Sequence, residues 1–299
     1  IKLFDNRKSP LKHVYALLIL GVLAVIYLVL QKTIPFSRIQ QKELNDMTLT
    51  LEAYFNNHPK DSAFVLFNTE SPDSFPGVRS HYQRFRYPDE SGAIQRMADT
   101  MPVQHFIYVW SNVADPPELR DMLSVRYGNP VELYKSRRSS VTVYSKDTMT
   151  VNGSGLHVNT YEAVPDEWSS DGIIFGNDDV RGNFEILKED REYSSTFRQT
   201  IEKPGKSLRI YAEVQSFSSD TGSCHLVITL IRKGTTIKYH ALDLRQYEAD
   251  ARGWKTGFTS AEISSRQMKR GDELLVYCWN SGKNEAIFID NFRGKLFPY

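Results

Sequence analysis

The chain has 299 residues, and its 37 lysines and arginines nearly balance its 36 aspartates and glutamates, for a net charge of +1. That balance excludes nucleic acid as the main partner, because phosphate binding needs a basic excess or a basic stripe. A hydrophobic share of 40% and an aromatic share of 12% exclude a wholly disordered chain, and two cysteines exclude a disulfide-dense scaffold or a cysteine-rich zinc site.

The sequence begins at Ile1 rather than methionine, which points to residues upstream of it. Residues 1–12 form a polar flank, expected to be cytoplasmic or internal to a longer chain. Val14 to Leu30 carries no charge. With its flanks it approaches the ~20 residues that cross a bilayer, so a single transmembrane helix is predicted over residues 13–31. Tyr15 and Tyr27 lie where interfacial aromatics sit. A cleaved signal peptide is the alternative, but Gln31 to Pro35 offers no small-x-small cleavage site. Lys2, Arg7, Lys8 and Lys12 before the segment outnumber Lys32, Arg38 and Lys42 after it. The folded part is therefore expected outside the cytoplasm, in a periplasmic or extracellular location. Gly21 and Ala24 would let other membrane helices or subunits pack closely.

Residues 36–150 read as an exit helix and a small α/β domain. Ile39, Leu44, Met47, Leu51 and Tyr54 recur at helical spacing. Apolar runs at 62–67 and 104–110 predict buried strands, with a helix at 91–100 between them. Pro116, Pro117 and Glu118 open a second helix that Gly128 ends. Runs at 131–134 and 141–144 close the unit as strands. This alternation predicts a small layer with some parallel pairing. Within the run His81–Pro88, Arg84 and Arg86 would suit an anion or a sugar phosphate, or stand as surface charges of an edge strand. No glycine-rich phosphate loop follows either buried strand.

Residues 151–175 are predicted as a linker, with an N-glycosylation pattern at Asn152-Gly153-Ser154. From 176 to 299 helical periodicity gives way to eight short β-rich runs. They are separated by turn signals such as Lys203-Pro204-Gly205-Lys206 and Asn280-Ser281-Gly282-Lys283. Leu208, Ile210, Ala212 and Val214 alternate, as do Leu226, Ile228 and Leu230. The prediction is an all-β antiparallel sandwich, a jelly roll. The predicted fold class is thus a single transmembrane helix followed by a small α/β domain and that sandwich.

Phe184 to Phe297 resembles the jelly-roll modules of carbohydrate-binding families. The likeness rests on Asn183-Phe184-Glu185, the run Tyr193–Ile201, the strand Ser207–Ser216 and the closing Phe288–Phe297. It implies a glycan partner and a structural calcium. Asp290 would hold the calcium, with Glu185 or Asp179 as a second ligand. Sugar binding of this kind uses aromatic rings that stack on pyranose faces. The candidates are Trp254, Tyr239, Tyr247 and Trp279, with a core role the alternative for both tryptophans. Cys224 and Cys278 lie in two predicted strands; a disulfide is possible if those strands are neighbours, and two buried thiols acting as small hydrophobes are the alternative. The overall layout is similar to the C-terminal end of polytopic glycosyltransferases that use lipid-phosphate-linked sugars. On that likeness the catalytic acid would lie upstream of this chain.

No nucleophile elbow, zinc-helix, Walker or CxxC motif occurs. Asp178-Asp179 and Glu189-Asp190 are adjacent pairs that do not face each other across a cleft. No catalytic residue is nominated. Two functions follow: a membrane-anchored, non-catalytic binding or assembly protein whose sandwich contacts a glycan or a protein, and the extracytoplasmic tail of a membrane glycosyltransferase.

Overall fold

The computed structural model describes residues 22–23, 40–58, 63–69, 82–84, 91–146, 156–161, 168–169, 175–178, 182–218, 222–282 and 285–298. They stack as five layers: a helix, a mixed sheet, two helices, and the two sheets of a β-sandwich.

The first helix, α1, is described over residues 40–57. It buries Met47 and Leu51 against one face of the mixed sheet, on Val65, Phe67, Ile107, Val109 and Val141. That sheet runs β2 (Tyr82–Arg84), β1 (Ala63–Thr69), β3 (His105–Ser111), β5 (Ser139–Ser145), β4 (Val131–Lys135). β1 pairs in parallel with β2 and with β3, whereas β3–β5 and β5–β4 are antiparallel. Both faces of the central strands are covered, so β1 and β3 are mainly apolar, while β5 also buries Ser139, Ser140 and Thr142. β4 lies at the edge and is largely exposed.

The other face of this sheet carries α2 (Ser91–Thr100) and α3 (Pro117–Tyr127). Pro117 sits in the first turn of α3, where its missing N–H costs nothing. Gly128, at φ 90°, ends the helix and donates its N–H to Ser124 O. Ile94, Ala98, Leu119, Met122 and Leu123 fill the space between Leu66, Phe106 and Tyr108 on one side and Tyr211 and Phe258 on the other. The last two belong to the sandwich, so α2 and α3 are shared by both units.

The sandwich is antiparallel throughout. Its inner sheet, against the helices, is β14 (Trp254–Ile263), β11 (Leu208–Phe217), β16 (Ile287–Pro298), β9 (Gly182–Leu187), β8 (Phe175–Asp178), with β6 (Leu156–Asn159) also pairing with β16. Its outer sheet is β13 (Thr235–Asp243), β12 (Cys224–Arg232), β15 (Glu273–Asn280), β10 (Thr196–Thr200), β7 (Trp168–Ser169). Ile210, Ala212 and Val214 face Leu226, Ile228, Leu230, Leu274 and Val276 across the core. The stretch 151–175, expected as a linker, supplies β6 and β7 and places Tyr161 and Trp168 in that core.

One expectation of fold class is corrected. Among the described residues no helix is long and apolar enough to cross a membrane. α2 and α3 have 10 and 11 residues, about half of what a span needs, and α1 is amphipathic. The segment 13–31 lies outside the described residues apart from Val22 and Leu23. The described fold is therefore a mixed α/β layer on an antiparallel sandwich, without a transmembrane helix.

Candidate functional site

The two faces of the sandwich differ. The outer face of the inner sheet is closed by α2 and α3. Arg126 of α3 donates to Asp99 of α2 at 2.7 Å and to Glu213 of β11 at 2.9 Å. Tyr211 donates to the same Glu213. Burial pulls the Glu213 carboxyl upward, but Arg126, its hydrogen bond and Arg293 outweigh this and hold it below the ordinary carboxylate range. Asp121 of α3 pairs with Arg209 at 2.9 Å and accepts from Ser260 Oγ at 2.7 Å. Here burial wins and pushes the carboxyl up to about 6.

The outer sheet, in contrast, presents aromatics. β15 alternates strictly: Leu274, Val276 and Cys278 are buried, while Glu273, Leu275, Tyr277 and Trp279 look outward. Strand register assembles their neighbours. Trp279 is opposite Tyr193 on one side and His225 on the other, and His225 is opposite Asp243. Tyr277 is opposite Val227, which is opposite Ala241. Leu275 is opposite Thr229, which is opposite Tyr239.

These side chains form a platform. The Tyr193 and Trp279 rings stack at 6.4 Å with an interplanar angle of 13°, and Tyr277 meets Tyr193 edge-on at 5.6 Å. His225 lies 5.6 Å from Trp279 on its other side. Its Nδ1 is 3.2 Å from Ser281 Oγ. Trp279 Nε1 donates to Glu192 at 3.4 Å, which fixes the indole plane. Tyr193 and Tyr239 are 52% and 51% exposed, a large amount for rings of this size. Burial, then the nearness of Tyr239 and Tyr193, pushes the Tyr277 hydroxyl up to about 12. Burial, then Tyr193, raises that of Tyr239. Between the rows of rings lie the smaller Val227, Ala241 and Thr229. Charged pairs rim the platform. Arg245 grips Asp243 and, by its hydrogen bond, holds that carboxyl below the usual range; Arg198 pairs with Glu273 at 3.0 Å.

Of the predicted sugar-stacking residues, the structure brings Trp279 and Tyr239 together on this face and not the other two. Trp254 is 8% exposed and packs on Phe184 and Phe217 at the inner sheet. Gly253, at φ 82°, carries the chain past the Phe217 ring so closely that a Cβ would lie 2.8 Å from it. Tyr247 is 4% exposed and donates to Phe258 O at 2.8 Å. Sequence reasoning missed Tyr193, Tyr277 and His225. Tyr277 carried a usable signal, two positions before Trp279 on an alternating strand. Arg84 contributes backbone to the edge strand β2, and Arg86 lies outside the described residues.

The calcium expectation does not fit the residues in place. Glu185 is fully buried, and its oxygens accept from Arg191 Nη2 at 2.9 Å, Ser195 N at 2.7 Å and Ser195 Oγ at 2.9 Å. Asp290 accepts from Asn291 N at 2.7 Å and Nδ2 at 2.8 Å. Asn291 has φ 47° at the bulge where β16 slips against Glu213–Gln215, so the carboxylate closes a backbone irregularity. Asp179 lies outside the described residues. Among the described residues no group of three or more His, Cys, Asp or Glu could hold a metal.

Cys224 and Cys278 are free buried thiols on neighbouring strands, the second of the two readings, and not a disulfide. Cys278 is opposite Leu226, and Cys224 opposite Asn280, so the cysteines are diagonal neighbours. Diagonal positions lie about 7–8 Å apart along the backbone, and the Cys278 thiol meets that of Cys224 as a hydrogen-bonded pair inside the core.

No protein-family model and no curated protein matches the chain. Solved structures similar to part of this chain include the CBM22-1 xylan-binding domain of Paenibacillus barcinonensis Xyn10C, at 14% identity over 47% of this chain and 92% of that one, TM-score 0.31. A CBM35 from Cellvibrio japonicus Abf62 is similar at 8% identity over 48% and 96%, TM-score 0.31. A CBM36 solved with calcium and xylotriose is similar at 12% identity over 44% and 93%, TM-score 0.27. The β-sandwich of this chain stands on its own strand pairing. None of these likenesses bears on its ligand, and none carries the resemblance to glycosyltransferases.

Proposed function

We propose that the chain is a non-catalytic glycan-binding protein that takes carbohydrate on the open face of its outer sheet. The observation that carries this reading is the platform of Tyr193, Tyr277, Trp279 and Tyr239. It combines apolar ring faces with hydroxyl groups, the pairing a pyranose asks for, with its apolar C–H face and its ring of hydroxyls. The rings cost little to order on binding, because Tyr193, Tyr277 and Trp279 already hold one another in place. Small side chains between the aromatic rows leave room for a sugar chain to lie down. The neighbouring carboxylates, Asp243 and Glu273, are each engaged by an arginine, which suits binding rather than proton transfer. A location outside the cytoplasm, where glycan polymers are exposed, belongs to the same proposal.

The experiment is a glycan array with the purified full chain, followed by calorimetric titration of the hits. Binding lost in both Trp279→Ala and Tyr193→Ala, with folding retained, supports the proposal. An array without hits, or hits indifferent to both substitutions, overturns it and points to a protein partner for this face.

A further inference from the structure

We propose that a cavity at one end of the sandwich is an anion-accepting subsite, and that the ligand is therefore an acidic, carboxylate-bearing carbohydrate. This rests on the glycan reading of the outer face. The cavity, of about 850 Å³, opens between the two sheets beneath the β10–β11 turn. Its volume falls within the range of small-molecule sites. Its floor is the open end of the core: Ile201 and Met268 are nearly buried, and Leu208 and Leu296 pack beside them.

Its walls are polar and basic. Arg198, Lys203 and Lys206 line it against one carboxylate, Glu202. Arg198 is already paired with Glu273, so the excess positive charge rests on Lys203 and Lys206. Thr200 and Ser207 add hydroxyls. The turn that carries both lysines is held at its two ends. Ile201 N donates to Asp272 O at 2.8 Å, and Ile201 O accepts from Gly271 N at 2.9 Å. Ser207 Oγ accepts from Ser265 N at 3.2 Å. Asp272 is fixed in turn by Arg232 at 2.8 Å and by Lys269 N at 2.7 Å. The backbone that carries the two exposed lysines is thus held at both ends.

The cavity also continues the platform. Arg198 lines the cavity and stands opposite Leu275, two residues along β15 from Tyr277. Two residues of strand are roughly 7 Å, so a chain stacked on Tyr277 and Trp279 reaches the rim within a sugar or two. A carboxylate there would meet two ammonium groups, while the rings behind it stay on the tyrosines.

The test is titration of the full chain with trigalacturonate and with a glucuronate-bearing xylo-oligosaccharide, each free and methyl-esterified. Esterification removes the charge and keeps the sugar. For at least one pair, the free acid is expected to bind about tenfold tighter than its ester at low salt, with the gap closing as salt is added. In the double variant Lys203→Gln, Lys206→Gln the acid should fall to the level of the ester, with the ester unchanged. Equal binding of acid and ester, with Trp279→Ala still abolishing both, overturns the subsite and leaves the platform standing. Survival of the acid preference in the double variant overturns the subsite as well. Failure of every oligosaccharide to bind, together with an empty array, overturns both readings.

Discussion

Trp254 and Trp279 both lie in strands, yet one is buried and the other faces outward. What separates them is which neighbour each strand has. Trp254 begins β14, where Phe184 and Phe217 close around it; Trp279 lies near the end of β15 on the parity that faces out. Trp254→Ala is expected to cost about 3–5 kcal/mol of stability by urea denaturation, as large core truncations do. Trp279→Ala should leave stability nearly unchanged and lower glycan affinity about tenfold or more, ~1.4 kcal/mol or above. The alternation of Tyr277 and Trp279 was legible in the sequence. The partnership with Tyr193 was not, because it depends on a bridge between segments 86 residues apart. For the cysteines, strand register decides: they should titrate as two thiols on unfolding without reductant, and the native chain should not change gel mobility when reduced.

At the scale of elements, α3 is the hinge-pin of the molecule. Its Arg126 side chain is 6% exposed and Glu213 is 3% exposed, so their pair is buried between helix and sheet. Removing one partner of such a pair strands the other charge, and Arg126→Met is expected to destabilise the chain by about 3–5 kcal/mol. Asp121, one turn earlier, gives a pH dependence. Its carboxyl ionises at about 6 in the folded chain against 3.8 as an isolated group, because burial outweighs Ser260 and Arg209. Lys295 on β16 and Glu118 on its own helix are the other charges nearby. Between these values the folded state holds a proton that the unfolded state has lost. The contribution is complete below about pH 4 and is lost as pH rises through about 6, on the order of 2–3 kcal/mol. Denaturation curves at pH 4.5 and 7 should show this slope in the native chain and a flatter one in Asp121→Asn. The helices and buried strands of this unit were readable from apolar runs, prolines and Gly128. Their role as a lid on the sandwich was not, since Tyr211 and Glu213 read simply as strand residues until α3 is laid over them.

At the scale of the whole molecule, the five layers leave one face of the sandwich uncovered among the described residues. One sandwich face is taken up by the α/β unit through Phe258, Tyr211 and Arg126, and the other keeps its aromatics toward solvent. The sandwich and the mixed sheet were both legible as elements. The strands in 151–175 were not, because β6 and β7 have 4 and 2 residues and are held by their partners rather than by their own pattern. Had Trp279 and Tyr239 fallen on the covered face, the same composition would carry no glycan reading. The most direct test of the central claim is therefore calorimetric titration of the full chain with array-selected oligosaccharides, native and Trp279→Ala side by side. The platform predicts saturable binding to the native chain and its loss in a variant that unfolds at the same urea concentration. Equal binding by both chains would contradict it.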